Sequence, residues 1–144
     1  MHARTGIALA LALTLAACHT APSSDSAPAT KADATVKELS VSDVANLVQA
    51  KGATIVDANN AETRQDLGVV PGALLLTSSH DYALSELPAE KSTKLVFYCG
   101  GTMCRASDSA AKRAAGAGYA DVSVMRAGIR GWKDSGKQTE TPRS

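Results

Sequence analysis

The chain has 144 residues, 44% of them hydrophobic, with 15 Lys plus Arg against 14 Asp plus Glu. That suffices for one small globular domain with non-globular extras and leaves no room for a second. Charge is nearly balanced and no Lys/Arg run exists to track a phosphate backbone, which argues against nucleic acid as a partner.

Residues 1–4 give a short basic start through Arg4, and residues 6–17 form an apolar run rich in Leu and Ala. This is the pattern of a signal peptide, too short for a permanent membrane span. It ends in Leu15-Ala16-Ala17-Cys18, followed at once by polar sequence. The junction resembles the lipobox of bacterial lipoproteins, which implies cleavage after Ala17 and a diacylglyceryl group on Cys18. An ordinary signal peptide cut beside an incidental cysteine is the plainer alternative. His19 rather than Asp after Cys18 is similar to lipoproteins of the outer membrane, which implies an envelope protein facing the periplasm. Loss of residues 1–17 removes Arg4 and no acid, so the mature chain is formally neutral and meets the membrane through lipid alone. Residues 18–35 are Ala, Pro, Ser, Thr, Asp and Lys with almost nothing to bury, and read as a tether.

Residues 36–137 alternate apolar strand-like runs with helical patterns and form the expected domain; residues 138–144 read as a polar tail. Ser40 or Ser42 caps a helix presenting Val44, Leu47 and Val48 on one face, with Gly52 closing it. Residues 54–57 predict a buried strand, 59–66 an exposed helix, and Pro71-Gly72 a turn into the apolar residues 73–76. Tyr82, Leu84 and Leu87 suggest a short helix ending at Pro88. Residues 94–98 are the most strand-like segment and run into Cys99. Residues 106–117 predict an Ala-rich helix with Ala110, Ala111, Ala114 and Ala115 inward, and residues 122–124 a further strand. Strands alternating with helices predict an α/β fold with a mainly parallel central sheet covered on both faces.

The segment Phe97-Tyr98-Cys99-Gly100-Gly101-Thr102-Met103-Cys104-Arg105-Ala106-Ser107 sits at the carboxyl end of a buried strand and opens into a helix. Open α/β sheets place ligands there. Gly100 and Gly101 permit a tight curl whose amides point inward, and the helix adds its positive end. Such a cradle favours two anions, a Cys99 thiolate of lowered pKa and an oxyanion docked above it.

A strand ending in Tyr98-Cys99, this loop, the Ala-rich helix, Ala117-Gly118-Tyr119 before Val122, and Ala127-Gly128 before Gly131-Trp132 together resemble a rhodanese domain. Upstream, Val56-Asp57 and Gly68-Val69-Val70-Pro71-Gly72-Ala73 are similar to that family's Asp strand and Gly-x-x-Pro-Gly-Ala turn. The resemblance implies a three-layer rhodanese-like fold and a sulfurtransferase. Cys99 would take sulfane sulfur from thiosulfate or another sulfur-containing anion or persulfide donor, hold it as a persulfide, and pass it to a thiol or cyanide. Residues 100–105 would bind the substrate, and no cofactor would be needed. Three departures stand out. Cys99 to Arg105 spans seven residues, the Cys-x5-Arg length of the family's phosphatase and arsenate-reductase branches, rather than six. Val69 and Asn59 replace a common His and Arg. Cys104 is an additional cysteine inside the loop.

Several roles stay open on sequence. Cys104 is a resolving or disulfide partner of Cys99 or an incidental thiol; with Cys18 acylated, an intramolecular disulfide could join only Cys99 and Cys104. Arg105 either aims at a bound oxyanion or is a solvated helix-start residue. Ser107 caps the helix in the simplest reading, Asp57 is structural, and Trp132 plugs the core. Cys-x4-Cys without a second pair or clustered His argues against zinc. The rivals to sulfur transfer are a phosphatase or arsenate-reductase activity and a redox-sensing module that cycles Cys99 and Cys104. The phosphatase reading is weakened because the loop holds no Asp or Glu and Tyr98 stands where those branches place His.

Overall fold

A computed structural model describes residues 36–143. The signal peptide, Cys18 and tether expected from the sequence lie outside the described residues. Among the described residues no helix is long and apolar enough to cross a membrane.

The elements follow in the order β1 (Lys37–Glu38), α1 (Val41–Ala50), β2 (Thr54–Asp57), α2 (Ala61–Leu67), β3 (Leu74–Leu75), a 3-10 turn (Leu84–Glu86), β4 (Leu95–Tyr98), α3 (Ala106–Gly116), β5 (Val122–Met125) and α4 (Gly128–Asp134). Local chemistry sets the helix starts. Ser40 and Asp43 form a reciprocal capping box at α1: Asp43 N–H donates to Ser40 Oγ at 3.2 Å and Ser40 N–H to Asp43 Oδ2 at 3.1 Å. Asn60 Oδ1 accepts from Thr63 N–H at 2.9 Å to start α2. At the end of α1 the left-handed residue is Lys51, φ 50°, one position before the Gly52 expected from sequence. The Gly52 N–H still bonds back to the Leu47 carbonyl at 2.9 Å, as a Schellman-type stop requires.

The strands form one five-stranded sheet, order β1-β5-β4-β2-β3, with every adjacent pair parallel. Period-two alternation divides its residues between two cores. Val56, Leu95, Phe97 and Val124 face α3, whose Ala110, Ala111 and Ala114 lie flat on the sheet together with Tyr82 and Tyr119. Ile55, Val96, Tyr98 and Met125 face the opposite way, onto Val44 and Ala45 of α1 and Ile129 and Trp132 of α4. The α/β class with helices on both faces is therefore the observed one. Two long-range features were not predicted. β1 is two exposed residues held by β5, and Glu140, within the polar tail, exchanges two backbone hydrogen bonds of 2.9 Å with Val69.

This topology also marks one end of the sheet. β4 is the middle strand and its chain exit leads to α3 on one face, whereas the exit from β5 leads to α4 on the other. Diverging exits at the carboxyl end of such strands are where open α/β sheets place ligands. Cys99 is the first residue beyond that end.

Candidate active site

Cys99 is 1% exposed, and its Sγ has polar company: Ser107 Oγ lies 3.3 Å away. The loop that follows is aimed by α4. Ile129 N–H donates to the Cys99 carbonyl at 2.8 Å and Arg130 N–H to the Gly100 carbonyl at 3.2 Å. In a planar trans peptide the N–H points opposite to its C=O. The amides of Gly100 and Gly101 are therefore turned away from α4, and neither has an acceptor among the described residues. The Gly101 carbonyl accepts from Cys104 N–H at 2.9 Å, which closes a turn over residues 101–104. That approach needs Gly128, φ 62°: a Cβ there would collide with the Cys99 carbonyl oxygen and sit 2.6 Å from Gly101 N.

The helix start contributes next. Arg105 occupies the N-cap of α3 and its side chain caps nothing. Ser107 is thus not the cap that the sequence suggested. It is buried in the first turn, with its hydroxyl on Cys99 instead. The first-turn amides of α3 keep their positive end free toward the loop.

The structure brings Cys99 and Cys104 together as a disulfide, with Cα atoms 6.3 Å apart, a normal span for such a bond. Thr102 and Met103 are exposed at the apex, Met103 by 92%. Arg105 is 77% exposed and turns its guanidinium to Asp108 at 3.3 Å, on the helix it starts, rather than over Cys99.

Beneath the loop, Asp57 is fully buried and fully engaged. Its carboxylate accepts from Tyr98 OH at 2.5 Å, Arg64 Nε at 3.1 Å and Asn59 N–H at 2.7 Å. Burial, and then the Asp57 carboxylate, push the Tyr98 phenol far above its ordinary range, so it stays protonated and donates. Arg64 also donates to the backbone carbonyls of Asp57 and Leu76. Asp57 is structural, as its sequence context suggested. Asn59, 8% exposed, packs toward the loop, its Oδ1 3.8 Å from where a Gly100 Cβ would stand, and its Nδ2 has no partner among the described residues.

Sequence reasoning missed Arg64, Arg126 and Arg130. Arg64 carried a signal, since it is the only Lys or Arg between Lys51 and Lys91 and a buried Asp lies seven residues before it. Arg126 spans Glu38 and Asp108 at 3.1 and 2.8 Å, tying the residue after β5 to β1 and the first turn of α3. Arg130 packs its stem against Gly101 and makes no ion pair among the described residues. Among those residues no group of three His, Cys, Asp or Glu could hold a metal ion. A surface cleft at Val69, Gly72, Leu75 and Glu140 includes no residue of the cysteine loop.

Comparison with known proteins gives this geometry its relatives. Residues 40–135 match the family model for the rhodanese-like domain. A Rhodopseudomonas palustris protein described as a possible tyrosine phosphatase is 26% identical over 73% of this chain and 85% of its own, with a TM-score of 0.61. A thiosulfate sulfurtransferase of Pseudomonas aeruginosa is 21% identical over 74% of this chain and 21% of its own, TM-score 0.57. A human single-domain sulfurtransferase is 20% identical over 69% of this chain and 96% of its own, TM-score 0.56. At such identity the last two share the fold. No curated protein matches the chain.

Proposed function

Because the chain belongs to the rhodanese-like family, we propose that it is a sulfurtransferase carrying sulfane sulfur as a persulfide on Cys99. The observation behind the reading is the site's anion chemistry: the Ser107 hydroxyl lies 3.3 Å from the buried Cys99 sulfur, and the Gly100 and Gly101 amides of the loop that follows, like the uncapped start of α3, have no acceptor among the described residues. Each of these groups stabilises a thiolate more than a thiol. They stabilise a persulfide anion in the same way.

With thiosulfate as donor, the Cys99 thiolate attacks the outer sulfur, the sulfur–sulfur bond of thiosulfate breaks, and sulfite leaves with its electron pair. Cyanide or a thiol then removes the outer sulfur from Cys99 and regenerates the thiolate. The unpaired amides of Gly100 and Gly101 would hold the donor's oxygens. The decisive experiment offers thiosulfate and cyanide to the reduced protein and measures thiocyanate. Wild type forms it, and Cys99→Ser does not; thiocyanate surviving in Cys99→Ser would overturn the assignment.

A phosphatase reading has the Rhodopseudomonas palustris relative in its favour. Against it, the cysteine loop itself holds no Asp or Glu, and Asp108 in the first turn of α3 is already held by Arg126 and Arg105 rather than free to protonate a leaving group. Hydrolysis of p-nitrophenyl phosphate that depends on Cys99, without thiocyanate formation, would favour it. We also propose lipid anchoring through Cys18 in the bacterial envelope, at the outer membrane facing the periplasm, on the strength of residues 1–18. In cells fed labelled fatty acid, wild type takes up label and Cys18→Ala does not; label retained by Cys18→Ala would sink that proposal.

A further inference from the structure

We propose that Cys104 is a built-in acceptor for the Cys99 persulfide, so that the domain can release the transferred sulfur as hydrosulfide. This rests on the persulfide reading above and gives that site a product. The Cys104 thiol gives up its proton to the outer persulfide sulfur and its sulfur attacks Cys99 Sγ; the bond between Cys99 Sγ and the outer sulfur breaks, and the outer sulfur leaves as hydrosulfide with the bonding electron pair. The two thiols are oxidised to the Cys99–Cys104 disulfide while the sulfane sulfur is reduced to sulfide. An external dithiol then reduces the disulfide, itself becoming a disulfide, and returns both cysteines to the thiol state.

Three observations carry the step. The structure already joins the two sulfurs, with Cα atoms 6.3 Å apart, so the product state fits the loop. The hydrogen bond from Cys104 N–H to the Gly101 carbonyl folds residue 104 back toward residue 99, and the α4 amides fix the other end of the same loop. Attack is thereby an intramolecular event between positioned groups. The two sulfurs also differ in access: Cys99 is 1% exposed, whereas Cys104 is only half-buried beside the exposed Thr102 and Met103. An outside thiol therefore meets Cys104 first, and the sulfur it expels is Cys99, the one whose surroundings stabilise a thiolate and make it the better leaving group.

The contact also decides which sulfur is attacked. Cys104 Sγ meets Cys99 Sγ itself, so the reaction ends in a disulfide with hydrosulfide lost, rather than in migration of the outer sulfur to Cys104.

The test uses the full chain, reduced, freed of reductant without air, and given one equivalent of thiosulfate. Wild type should release about one sulfide per chain, and its peptide spanning residues 99–104 should lose two hydrogens in the mass spectrum. Cys104→Ser and Cys104→Ala should release none, retain one extra sulfur on Cys99, and still form thiocyanate with cyanide. Equal sulfide from wild type and both variants would overturn the proposal, as would an extra sulfur retained by wild type or found on Cys104. If neither variant gains sulfur on Cys99 and none forms thiocyanate, the sulfurtransferase reading itself fails and takes this step with it.

Discussion

Ser107 gives the Cys99 sulfur its polar side-chain neighbour. Its hydroxyl, 3.3 Å from Sγ, can donate to a thiolate, and the α3 cap does not depend on it because Arg105 holds that position. Ser107→Ala should therefore fold, alanine being the better helix former. A hydrogen bond to a charged partner contributes about 1.5–3 kcal/mol. The hydroxyl favours the ionised, reactive sulfur, so its loss should slow both alkylation of reduced Cys99 by iodoacetamide and thiocyanate formation at neutral pH, each about tenfold or more. An unchanged alkylation rate would mean that the hydroxyl does not donate to the sulfur. Tyr98 acts on stability instead, since its OH donates to the buried Asp57 and accepts from Val70 N–H at 3.0 Å. Tyr98→Phe strips a partner from two buried groups, and denaturant unfolding should show a loss of about 2–4 kcal/mol. Asp57 could be read as structural because a carboxylate inside an apolar strand must find donors. That Tyr98 and Arg64 would be those donors could not be read, because both reach it through the fold.

At the scale of elements, the loop is shaped by a helix nearly thirty residues later in the chain. The sequence showed that Gly100 and Gly101 could curl, but the curl is held by the amides of Ile129 and Arg130. A helix cap at Ser40 or Ser42 and the buried apolar runs of β2 and β4 were legible, because each is decided within a few neighbouring residues, whereas the Asn60 cap of α2 was not read. β1 was not, since two exposed residues carry no pattern and owe their strand form to β5. The dependence of the loop on α4 can be separated from ordinary backbone strain by two glycines. Gly118, φ 93°, has open space within 4 Å of where a Cβ would stand, whereas Gly128, φ 62°, has the loop backbone there. Gly118→Ala should cost only the left-handed conformation, about 1–2 kcal/mol, and leave thiocyanate formation unchanged. Gly128→Ala carries the same strain and must also push residues 99–101 away. Its unfolding free energy should fall by at least about 2–3 kcal/mol, and its rate, measured where the variant is still folded, should fall severalfold. Equal rates in the two variants would show that the α4 turn does not position the loop.

The whole molecule is closed by contacts that no local pattern announces. Arg64 ties α2 to the end of β2 and to Leu76 just past β3, so the three segments hold together from one side chain that is 12% exposed. The residues after α4 do similar work on the segment that leads into β3. Composition marked residues 138–144 as polar, and polarity alone says nothing about backbone pairing. Yet Trp132 Nε1 donates to the Gln138 carbonyl at 2.7 Å, Glu140 and Val69 exchange two backbone bonds, and the Glu140 carboxylate accepts from Gly72 N–H at 3.2 Å. Ending the chain after Lys137 removes all of these and leaves the mostly buried indole N–H to find another partner. At about 1 kcal/mol for each bond lost, the deletion should cost about 3–4 kcal/mol. For a domain of this size that is a fall of more than about 10 °C in thermal midpoint, read by circular dichroism. No residue of the tail contacts the cysteine loop through a hydrogen bond among the described residues, so thiocyanate formation per folded molecule should stay the same below the transition. An unchanged midpoint would mean that the tail does not hold to Val69 in solution; a lost rate with the fold intact would mean that the tail shapes the site as well as the scaffold.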